Sequence, residues 1–372
     1  MEFNPLEELG LIENKQFIGT CRGLVTNNDN AYQLCESFVP DGDRLFSIVS
    51  RYDDIQSYVF NRENYKAGDT LKLVLPFLCA YGATDSSILK FSRDRLDLVQ
   101  GAAKTMRYLN SLMPSFIITN AYEHHMMAVC DEIDFPFSNV YCTQMQMDSV
   151  EVDDLEKKEI RDLAEEISAM PVPEIPAAAV GLSDFSSRDQ ATITRLDEIF
   201  WDYMLTMDVH ELVGSVNPIG GNEKAYSVLD VRRKTMIDLD ETMYVGGGIT
   251  DFQAMDLVRD SGGLSVSFNG NAYAVRESNV AVMAPHAVVV SVLAAAFYNG
   301  GLEAVYDLVD AWDRESLEKT DFPDRYLLKE MLHVFPEELP PVIRVDRHNV
   351  DDVAFRSELY RMKLYGRGGD LT

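Results

Sequence analysis

The chain has 372 residues, and 61 Asp and Glu against 33 Lys and Arg give it a formal net charge of −28. Hydrophobic residues make up 46% of the chain and charged residues 25%, which is typical of a globular protein and too apolar for a disordered one. Binding to nucleic acid or to anionic lipid requires a cluster of basic side chains, and the sequence contains none. We therefore expect no nucleic-acid partner, and we assign the acidic charge to the solvent-facing surface.

The cysteines, the N-terminus and the longest apolar run together predict a cytoplasmic protein. The five cysteines are widely spaced and form no CxxC pair, which argues against a zinc ribbon and a disulfide framework. The N-terminal MEFNPLEELGLIE is acidic and lacks the apolar core of a signal peptide. The apolar run from Ala287 to Tyr298 is shorter than the roughly 20 residues that span a bilayer, so no membrane insertion is expected. The low ratio of Lys to Arg fits a halotolerant or archaeal cytoplasm.

The N-terminal third is predicted to begin with one strand and to continue as helices. Residues Gln16 to Thr20 form a short apolar strand, which the polar turn VTNNDN follows. Asn28 or Asp29 is a suitable N-cap for a helix that runs through Cys35. From there to about residue 110 the pattern is mostly helical, and Pro76 within KAGDTLKLVLPFLCAYG predicts a kink or an early helix end.

The middle of the chain is predicted to hold a second strand and then a helical insertion. Ser115 to Thr119 is apolar and rich in β-branched residues, and it leads into a helix from Ala121 to Asp131. A short extended piece follows from Asn139 to Thr143. From about Val152 to Met207 a charged helix, a Pro- and Ala-rich connector and a long helix from Ser187 to Leu205 follow one another. We interpret this region as an insertion, because it shows no strand pattern.

After Asn217 the sequence alternates between helix and strand patterns. NPIGGNEKAYSVLDVRRK predicts a turn and a helix, ETMYV a strand, GGGITD a glycine turn, DFQAMDLVRD a helix, and LSVSF and NVAVM two strands. Such alternation predicts an α/β fold with a doubly wound, mostly parallel sheet. Beyond Leu302 the tail is predicted to be helical, with an interruption at the Pro-rich EELPPVIRV and a loose end, GRGGDLT.

The glycine turn GGGITD is the strongest local sign of a ligand site. It follows a strand and precedes a helix, and α/β proteins bind ligands at the carboxyl ends of their strands. Gly246, Gly247 and Gly248 permit close approach of the backbone, and the N-terminus of the next helix favours anions. A Rossmann dinucleotide site is disfavoured because the turn is not G-x-G-x-x-G and comes late in the chain. As a bare pattern, a glycine turn before a helix is more often structural than functional.

Two further positions point to the same edge of the sheet. Lys224 lies near the start of a helix after two glycines and would reach a phosphate there, although a solvated lysine is the commoner situation for this pattern. Thr119 ends a buried strand, so we expect its hydroxyl to emerge at this edge. His124 and His125 lie on different faces of the next helix, and we do not expect them to share a metal ion.

The order of these features resembles that of the haloacid dehalogenase (HAD) superfamily. The likeness is to an archaeal branch of HAD-like proteins, some of which are labelled subunit R of energy-converting hydrogenase A. It spans most of the chain from Phe17 to Phe297, and VSFNGNAYAV is its most specific segment. The other similar segments are FVPDGDRLFSIVSRYDD, YKAGDTLKLVLPFL, AYEHHMMAVCDEIDFPF, LDEIFWDYM, NPIGGNEKA, MYVGGGITDFQAMDLVRDSGGL and the tail region.

The resemblance implies a Rossmannoid core with helical cap insertions. The core would comprise residues 15–27, 111–145 and 215–300. A helical cap-like insertion would occupy residues 28–110 and a second insertion residues 146–214. Residues 301–372 would form a helical C-terminal extension.

The resemblance also implies a phosphate site, from which several acids are missing. HAD phosphatases attack phosphate with an Asp at the end of the first strand and use a second acid two residues later for proton transfer. The nucleophile and acids of the fourth motif hold Mg²⁺. Here Thr20 stands at the nucleophile position and Arg22 at the acid/base position. Gly247 stands at the first metal-binding acid, and only Asp251 remains of the fourth motif.

These substitutions predict that the phosphoaspartate mechanism has been abandoned. Thr119 matches the second motif and Lys224 the third, so we expect a site that binds an anion without a metal ion. The expected anion-binding residues are Thr119, Lys224, Arg22, Gly248 and Asp251. No cofactor is expected, Mg²⁺ included.

Two functions are compatible with this pattern. The first is a pseudoenzyme: a non-catalytic binding or scaffolding subunit in an archaeal cytoplasm, with an unknown protein partner. The alternative is a HAD-type hydrolase or phosphatase of altered mechanism. In that case Cys21 would be a thiolate nucleophile and Asp29 or Asp251 a base, although a cysteine at the end of a buried strand is usually inert.

Overall fold

A computed structural model describes residues 14–63 and 65–365. The acidic segment MEFNPLEELGLIE and the predicted loose end GRGGDLT lie outside the described residues. Seven strands form a single sheet in the described part of the chain. They are β1 (Gln16–Gly19), β2 (Ser115–Tyr122), β3 (Val140–Thr143), β4 (Thr242–Gly246), β5 (Leu264–Phe268), β6 (Val280–Val282) and β7 (Val342–Arg344).

The sheet is parallel except at one edge. The strand order is β3-β2-β1-β4-β5-β6-β7, and only β7 is antiparallel to its neighbour. Strand β1 is central, and its Ile18 is in register with Phe116 of β2 and Tyr244 of β4. Strands β1, β4 and β5 are buried along their whole length, as expected where helices cover both faces of a parallel sheet. The predicted α/β, doubly wound, mostly parallel sheet is confirmed.

Helices occupy the connections between the strands. Between β1 and β2 these are α1 (Asn30–Phe38), α2 (Gly42–Asp54), α3 (Thr70–Leu73), α4 (Leu75–Ala80), α5 (Asp85–Asp94) and α6 (Ala102–Leu112). Between β2 and β4 these are α7 (Glu123–Ile133), α8 (Asp154–Ala169), α9 (Ser187–Glu198), α10 (His210–Ser215) and α11 (Asn222–Thr235). After β4 these are α12 (Phe252–Asp260), α13 (Ala272–Arg276), α14 (Val288–Asp310), α15 (Arg314–Lys319), α16 (Arg325–Val334) and α17 (Val350–Tyr365).

Local signals in the sequence explain where several helices begin. The side chain of Asp29 caps α1 by accepting a hydrogen bond from the backbone N–H of Tyr32. Helix α3 ends at Leu73, and Pro76 lies in the first turn of α4, where its missing N–H costs no helical hydrogen bond. Strand β2 continues beyond Thr119, so α7 begins two residues later than predicted.

Alternating side chains of the central strand face two hydrophobic clusters. Phe17 belongs to the cluster that contains Met106 of α6 and Leu293 of α14. Ile18 belongs to the cluster on the other face, with Val228 of α11 and Met255 of α12. This alternation is the period of two expected for a strand buried on both sides. Helix α6, which was predicted to lie in the first insertion, therefore packs against the sheet.

The two predicted insertions pack against each other in a third cluster. Phe46 of α2 and Phe77 of α4 share this cluster with Ile160 of α8 and with Phe200, which follows α9. Tyr122, at the end of β2, belongs to the same cluster. The helical insertions therefore form a joint layer next to the carboxyl ends of β1 and β2.

The C-terminal region differs from the prediction of a helical extension. Val342–Arg344, within EELPPVIRV, forms strand β7 and pairs with β6, with Val342 opposite Val282. An edge position tolerates the two preceding prolines, because it leaves one side of the strand unpaired.

Helix α14 continues past the apolar run to Gly301, whose φ of 67° interrupts it, and a second helical stretch runs on to Asp310. By length and composition α14 is the one helix in the described residues that is long and apolar enough to cross a membrane, although a core helix passes the same test. Leu293 and Phe297 are fully buried in the cluster next to the sheet, which is the position of a core helix.

Candidate functional site

The carboxyl ends of three adjacent strands bring the predicted site residues together. Because β1 lies between β2 and β4, the residues that follow these strands meet at one edge of the sheet. Thr20 follows β1 directly, and its backbone N–H donates to the carbonyl of Val245 in β4 (2.9 Å). Thr119 lies within β2, two residues beyond Ile117, the last residue in register with β1. Thr20 and Thr119 are both buried.

Lys224 and Asp251 form a buried ion pair at this edge. Lys224 Nζ lies 2.6 Å from Asp251 Oδ1 and 3.3 Å from Thr20 Oγ1. The exposed fractions of the Lys224 and Asp251 residues are 1% and 2%. The alternative of a solvated lysine in the first turn of α11 is therefore wrong. The ammonium group points inward, and a carboxylate neutralises its charge.

The carboxylate of Asp251 accepts hydrogen bonds from the backbone donors of the glycine turn. Its Oδ2 accepts the backbone N–H groups of Gly247 and Gly248, both at 3.0 Å, and its Oδ1 accepts the hydroxyl of Tyr244 at 2.9 Å. Burial alone would raise the pKa of Asp251, but Lys224 and the two N–H groups outweigh it and hold that pKa below its usual range. The turn therefore holds an internal carboxylate with the N–H groups that would otherwise bind an external anion.

Close packing explains the glycine turn itself. A Cβ atom at Gly246 would lie 2.8 Å from Cβ of Asp251 and 2.7 Å from the sulfur of Met255. A Cβ atom at Gly247 would lie 3.0 Å from the carbonyl oxygen of Phe268. Gly246 thus lets Asp251 fold back under the turn, and Gly247 lets the turn approach the end of β5.

Arg361 of helix α17 completes the site, and the sequence analysis did not find it. This residue is 4% exposed, and its Nη1 donates to the carbonyl oxygens of Gly247 (3.2 Å) and Asn269 (3.1 Å). The same nitrogen lies 3.9 Å from the position that a Cβ atom of residue 247 would occupy. A guanidinium cation therefore stands next to the position at which the resemblance implies a metal-binding acid.

Arg22 and Thr119 line a pocket whose walls do not include Lys224 or Asp251. Arg22 Nη1 is 2.9 Å from Asp29 Oδ2, but it does not have hydrogen-bond geometry, so the contact is an ion pair only. Thr119 Oγ1 accepts the backbone N–H of Ala121 at 3.2 Å. Both residues line a small pocket of about 30 Å³ next to the helical insertions. The predicted anion-binding residues therefore fall into two groups: Lys224, Gly248 and Asp251 in one, Arg22 and Thr119 in the other.

The remaining reactive side chains are buried. Burial raises the pKa of the Cys21 thiol to about 12, so this residue is not a thiolate at neutral pH. His124 Nε2 lies 2.9 Å from Asp85 Oδ1, whereas neither ring nitrogen of His125 has a hydrogen-bond partner. Among the described residues, no group of three or more His, Cys, Asp or Glu side chains is arranged to hold a metal ion.

The residues at the edge do not fit Mg²⁺. This ion requires oxygen ligands, in proteins chiefly carboxylates. Here the fourth-motif region contributes the single carboxylate of Asp251, which already neutralises Lys224. Thr20 offers a neutral hydroxyl, Gly247 offers no side chain, and the cationic Arg361 lies beside it.

Comparison with solved structures finds a similar fold in an archaeal protein. The gene product AF1437 from Archaeoglobus fulgidus is similar with a TM-score of 0.77 and 23% sequence identity, over 96% of this chain and 99% of that chain. The two chains share a fold. At this identity the likeness shows the fold alone.

Phosphoserine phosphatase structures are more distant. One described as a phospho-aspartyl intermediate analogue has a TM-score of 0.43 at 10% identity, covering 72% of this chain and 93% of that one. A substrate-bound complex has a TM-score of 0.42 at 10% identity, covering 74% and 95%. At these TM-scores the likeness does not establish a shared fold. No protein-family model matches the sequence, and no curated protein is similar to it.

Proposed function

We propose that this chain is a HAD-like protein that binds rather than hydrolyses, acting as a non-catalytic binding or scaffolding subunit in an archaeal cytoplasm. The observation that carries the proposal is the buried Lys224–Asp251 pair with Arg361 beside it. Support for a HAD-like origin comes from the positions of Thr20, Thr119, Lys224 and Asp251, all near the carboxyl ends of the central strands.

The chemistry around Thr20 argues against nucleophilic catalysis. A threonine hydroxyl attacks phosphate only when a base takes its proton. The ionisable group in contact with Thr20 Oγ1 is the ammonium of Lys224, which donates a hydrogen bond and accepts no proton. Asp251 accepts from Lys224, Tyr244 and two backbone N–H groups, and none of these contacts joins it to Thr20.

Arg22 argues equally against proton transfer to a leaving group. A guanidinium stays protonated throughout the pH range of protein chemistry, so it neither gives nor takes a proton as a carboxyl group does. Its charge is directed to Asp29. The alternative of an altered hydrolase with Cys21 as nucleophile gains no support, because burial raises the pKa of this thiol to about 12.

An exposed apolar face on α17 supports a protein partner. Phe355, Leu359 and Met362 follow the spacing of one helix face and are 62%, 44% and 44% exposed. Arg361 on the same helix points inward and is buried. A helix that is anchored in the site and exposes apolar side chains to solvent is a suitable contact surface for another protein.

A phosphatase assay tests the proposal. Wild-type protein and the Asp251→Asn variant would be incubated with p-nitrophenyl phosphate and with a panel of phosphorylated metabolites, each with and without Mg²⁺. We expect the two proteins to release phosphate at the same background rate in both conditions. Mg²⁺-dependent turnover by the wild type above the buffer background would show an enzyme and overturn the proposal, whatever the Asp251→Asn variant does.

A further inference from the structure

Four buried polar atoms without a hydrogen-bond partner belong to residues that line one pocket. They are Nη1 of Arg22, Oδ1 of Asn30, and both Nδ1 and Nε2 of His125. Buried polar atoms are almost always hydrogen-bonded, because an unpaired group loses its hydration without compensation. Three of these atoms, on Asn30 and His125, have no partner, and Arg22 Nη1 has an ion pair only. All three residues line one small space, as expected of a pocket that receives a polar molecule.

His125 contributes the most distinctive wall of this pocket. It is 2% exposed and lies on α7, directly after the end of β2. Burial lowers its pKa to about 4, so the ring is neutral at physiological pH. A neutral imidazole offers one N–H donor and one bare nitrogen acceptor at the same time.

The other walls add donors and one acceptor. Arg22 Nη1 forms an ion pair with Asp29 but retains its hydrogen-bonding capacity. Thr119 Oγ1 already accepts from Ala121, which leaves its hydroxyl hydrogen to donate. Asn30 donates through Nδ2 to Ser92, which leaves Oδ1 as an acceptor.

We propose that this pocket binds a small, singly charged oxyanion that carries a proton, of the size of hydrogencarbonate. Arg22, Thr119 and one ring nitrogen of His125 supply three donors to its oxygens, and Oδ1 of Asn30 accepts its single hydroxyl hydrogen. Asp29 beside Arg22 selects against a second negative charge, and the volume of about 30 Å³ selects for few non-hydrogen atoms. The inference rests on the proposed function, because it takes Arg22 as a ligand-binding residue and not as a failed acid/base.

Titration of the histidine side chains tests the proposal. Long-range ¹H–¹⁵N spectra would be recorded at fixed pH while sodium hydrogencarbonate, sodium phosphate or sodium acetate is added at matched ionic strength. We expect hydrogencarbonate to shift the ring nitrogens of His125 in a saturable manner and to leave those of the neighbouring His124 in place. Acetate has no proton to donate to Asn30, so it should bind about 10-fold more weakly or worse.

Two variants make the assignment specific. Asn30→Asp keeps the shape of the side chain but adds a negative charge that repels the anion. It should weaken hydrogencarbonate binding about 10-fold or more. Asn271→Asp adds the same charge at the N-cap of α13, outside the pocket walls, and should leave binding unchanged. Circular dichroism of both variants checks that they fold.

Several outcomes would overturn the inference. These are the absence of a saturable shift at His125 with hydrogencarbonate or phosphate, an equal response to acetate, and equal binding by Asn30→Asp and wild type. Tighter binding of phosphate than of hydrogencarbonate would still indicate a site for a protonated oxyanion, but it would refute the argument from the pocket volume. None of these results decides whether the protein hydrolyses phosphate esters, so failure here is distinguishable from failure of the proposed function.

Discussion

We expect the fold to require the Lys224–Asp251 pair for its stability, and the Asp251→Asn variant tests this. The substitution keeps the shape of the side chain and removes its charge. The asparagine amide has only one oxygen, so it accepts either from Lys224 and Tyr244 or from the turn N–H groups, and its NH2 group then faces the remaining donors. The charge of Lys224 meanwhile stays fully buried without a counter-charge. Breaking a buried ion pair by removing one partner costs about 3–5 kcal/mol. We expect a loss at the upper end of this range in the free energy of unfolding.

Removal of Lys224, the other partner of the pair, should lower the free energy of unfolding by less than removal of Asp251, so the two variants can be compared with each other. In Lys224→Met the carboxylate of Asp251 still accepts from Tyr244 and from the N–H groups of Gly247 and Gly248. Three donors to one carboxylate offset part of its burial. We therefore expect a loss of about 2–3 kcal/mol for this variant. The double variant should lose less than the sum, because no unpaired charge remains in it.

The measurement is urea denaturation of the wild type and the three variants at pH 7, followed by far-UV circular dichroism. The pKa of Asp251 is held below its usual range, so its contribution is complete above the unfolded value of 3.8 and is lost as the pH falls through the folded pKa. At pH 7 the full effect is present. An Asp251→Asn variant that loses less than about 1 kcal/mol, or gains stability as functional-site variants often do, would refute the structural interpretation.

Three further predictions concern residues around the site. The pKa of His125 is about 4 in the folded chain and 6.5 in the unfolded chain, so the unfolded chain binds more protons between these pH values. As the pH falls from 6.5 to 4, the free energy of unfolding of the wild type should therefore drop by about 3 kcal/mol relative to that of His125→Asn. Burial raises the pKa of Asp53 to about 6 and that of Asp54 to about 7, so both also titrate in this range, but they do so in both proteins and cancel in the comparison. A difference in unfolding free energy that stays constant between pH 6.5 and 4 would contradict the prediction. Cys21 should resist alkylation by iodoacetamide at pH 7.5 in the folded protein and react in urea, as read by peptide mass spectrometry; labelling of the native protein would reopen the thiolate mechanism. Arg361→Leu should lose about 2–3 kcal/mol, because it removes the Nη1 donor from the carbonyls of Gly247 and Asn269, whereas Arg356→Leu on the exposed face of the same helix should change stability by less than about 0.5 kcal/mol. Equal losses in these two variants would mean that α17 is not anchored through Arg361.

The central sheet was predictable because its strands carry a strong local signal. Apolar, β-branched runs such as ETMYV are buried on both faces, and their alternation with helices allows a parallel arrangement with few alternatives. The same rule predicts that Thr119 and the GGGITD turn lie at one edge of the sheet. Strand β7 escaped prediction because Val342–Arg344 has three residues, follows two prolines and is defined by its pairing with β6 and not by its own pattern.

The inward direction of Lys224 and the contact of Arg361 were not predictable in the same way. A lysine in the first turn of a helix is compatible with solvent or with burial, and the choice depends on Asp251, which is 27 residues away. Arg361 is 114 residues from Gly247 in the sequence. Long-range contacts of this kind have no local sequence signature, because a lysine or an arginine by itself resembles a surface charge.

Two buried cations, Lys224 and Arg361, distinguish the centre of the molecule from its acidic overall composition. The chain carries a net charge of −28, yet these two cations are buried at the edge where the resemblance implies a cluster of acids and a divalent metal ion. Asp251 alone would be an uncompensated buried charge, which is costly. Lys224 neutralises it, and Arg361 binds the carbonyl oxygens of the turn at Gly247, so the positive charge that a metal ion would supply comes from the protein's own side chains. Restoring an acid at Gly247 would therefore not recreate a metal site by itself, because the new carboxylate would meet Arg361 first.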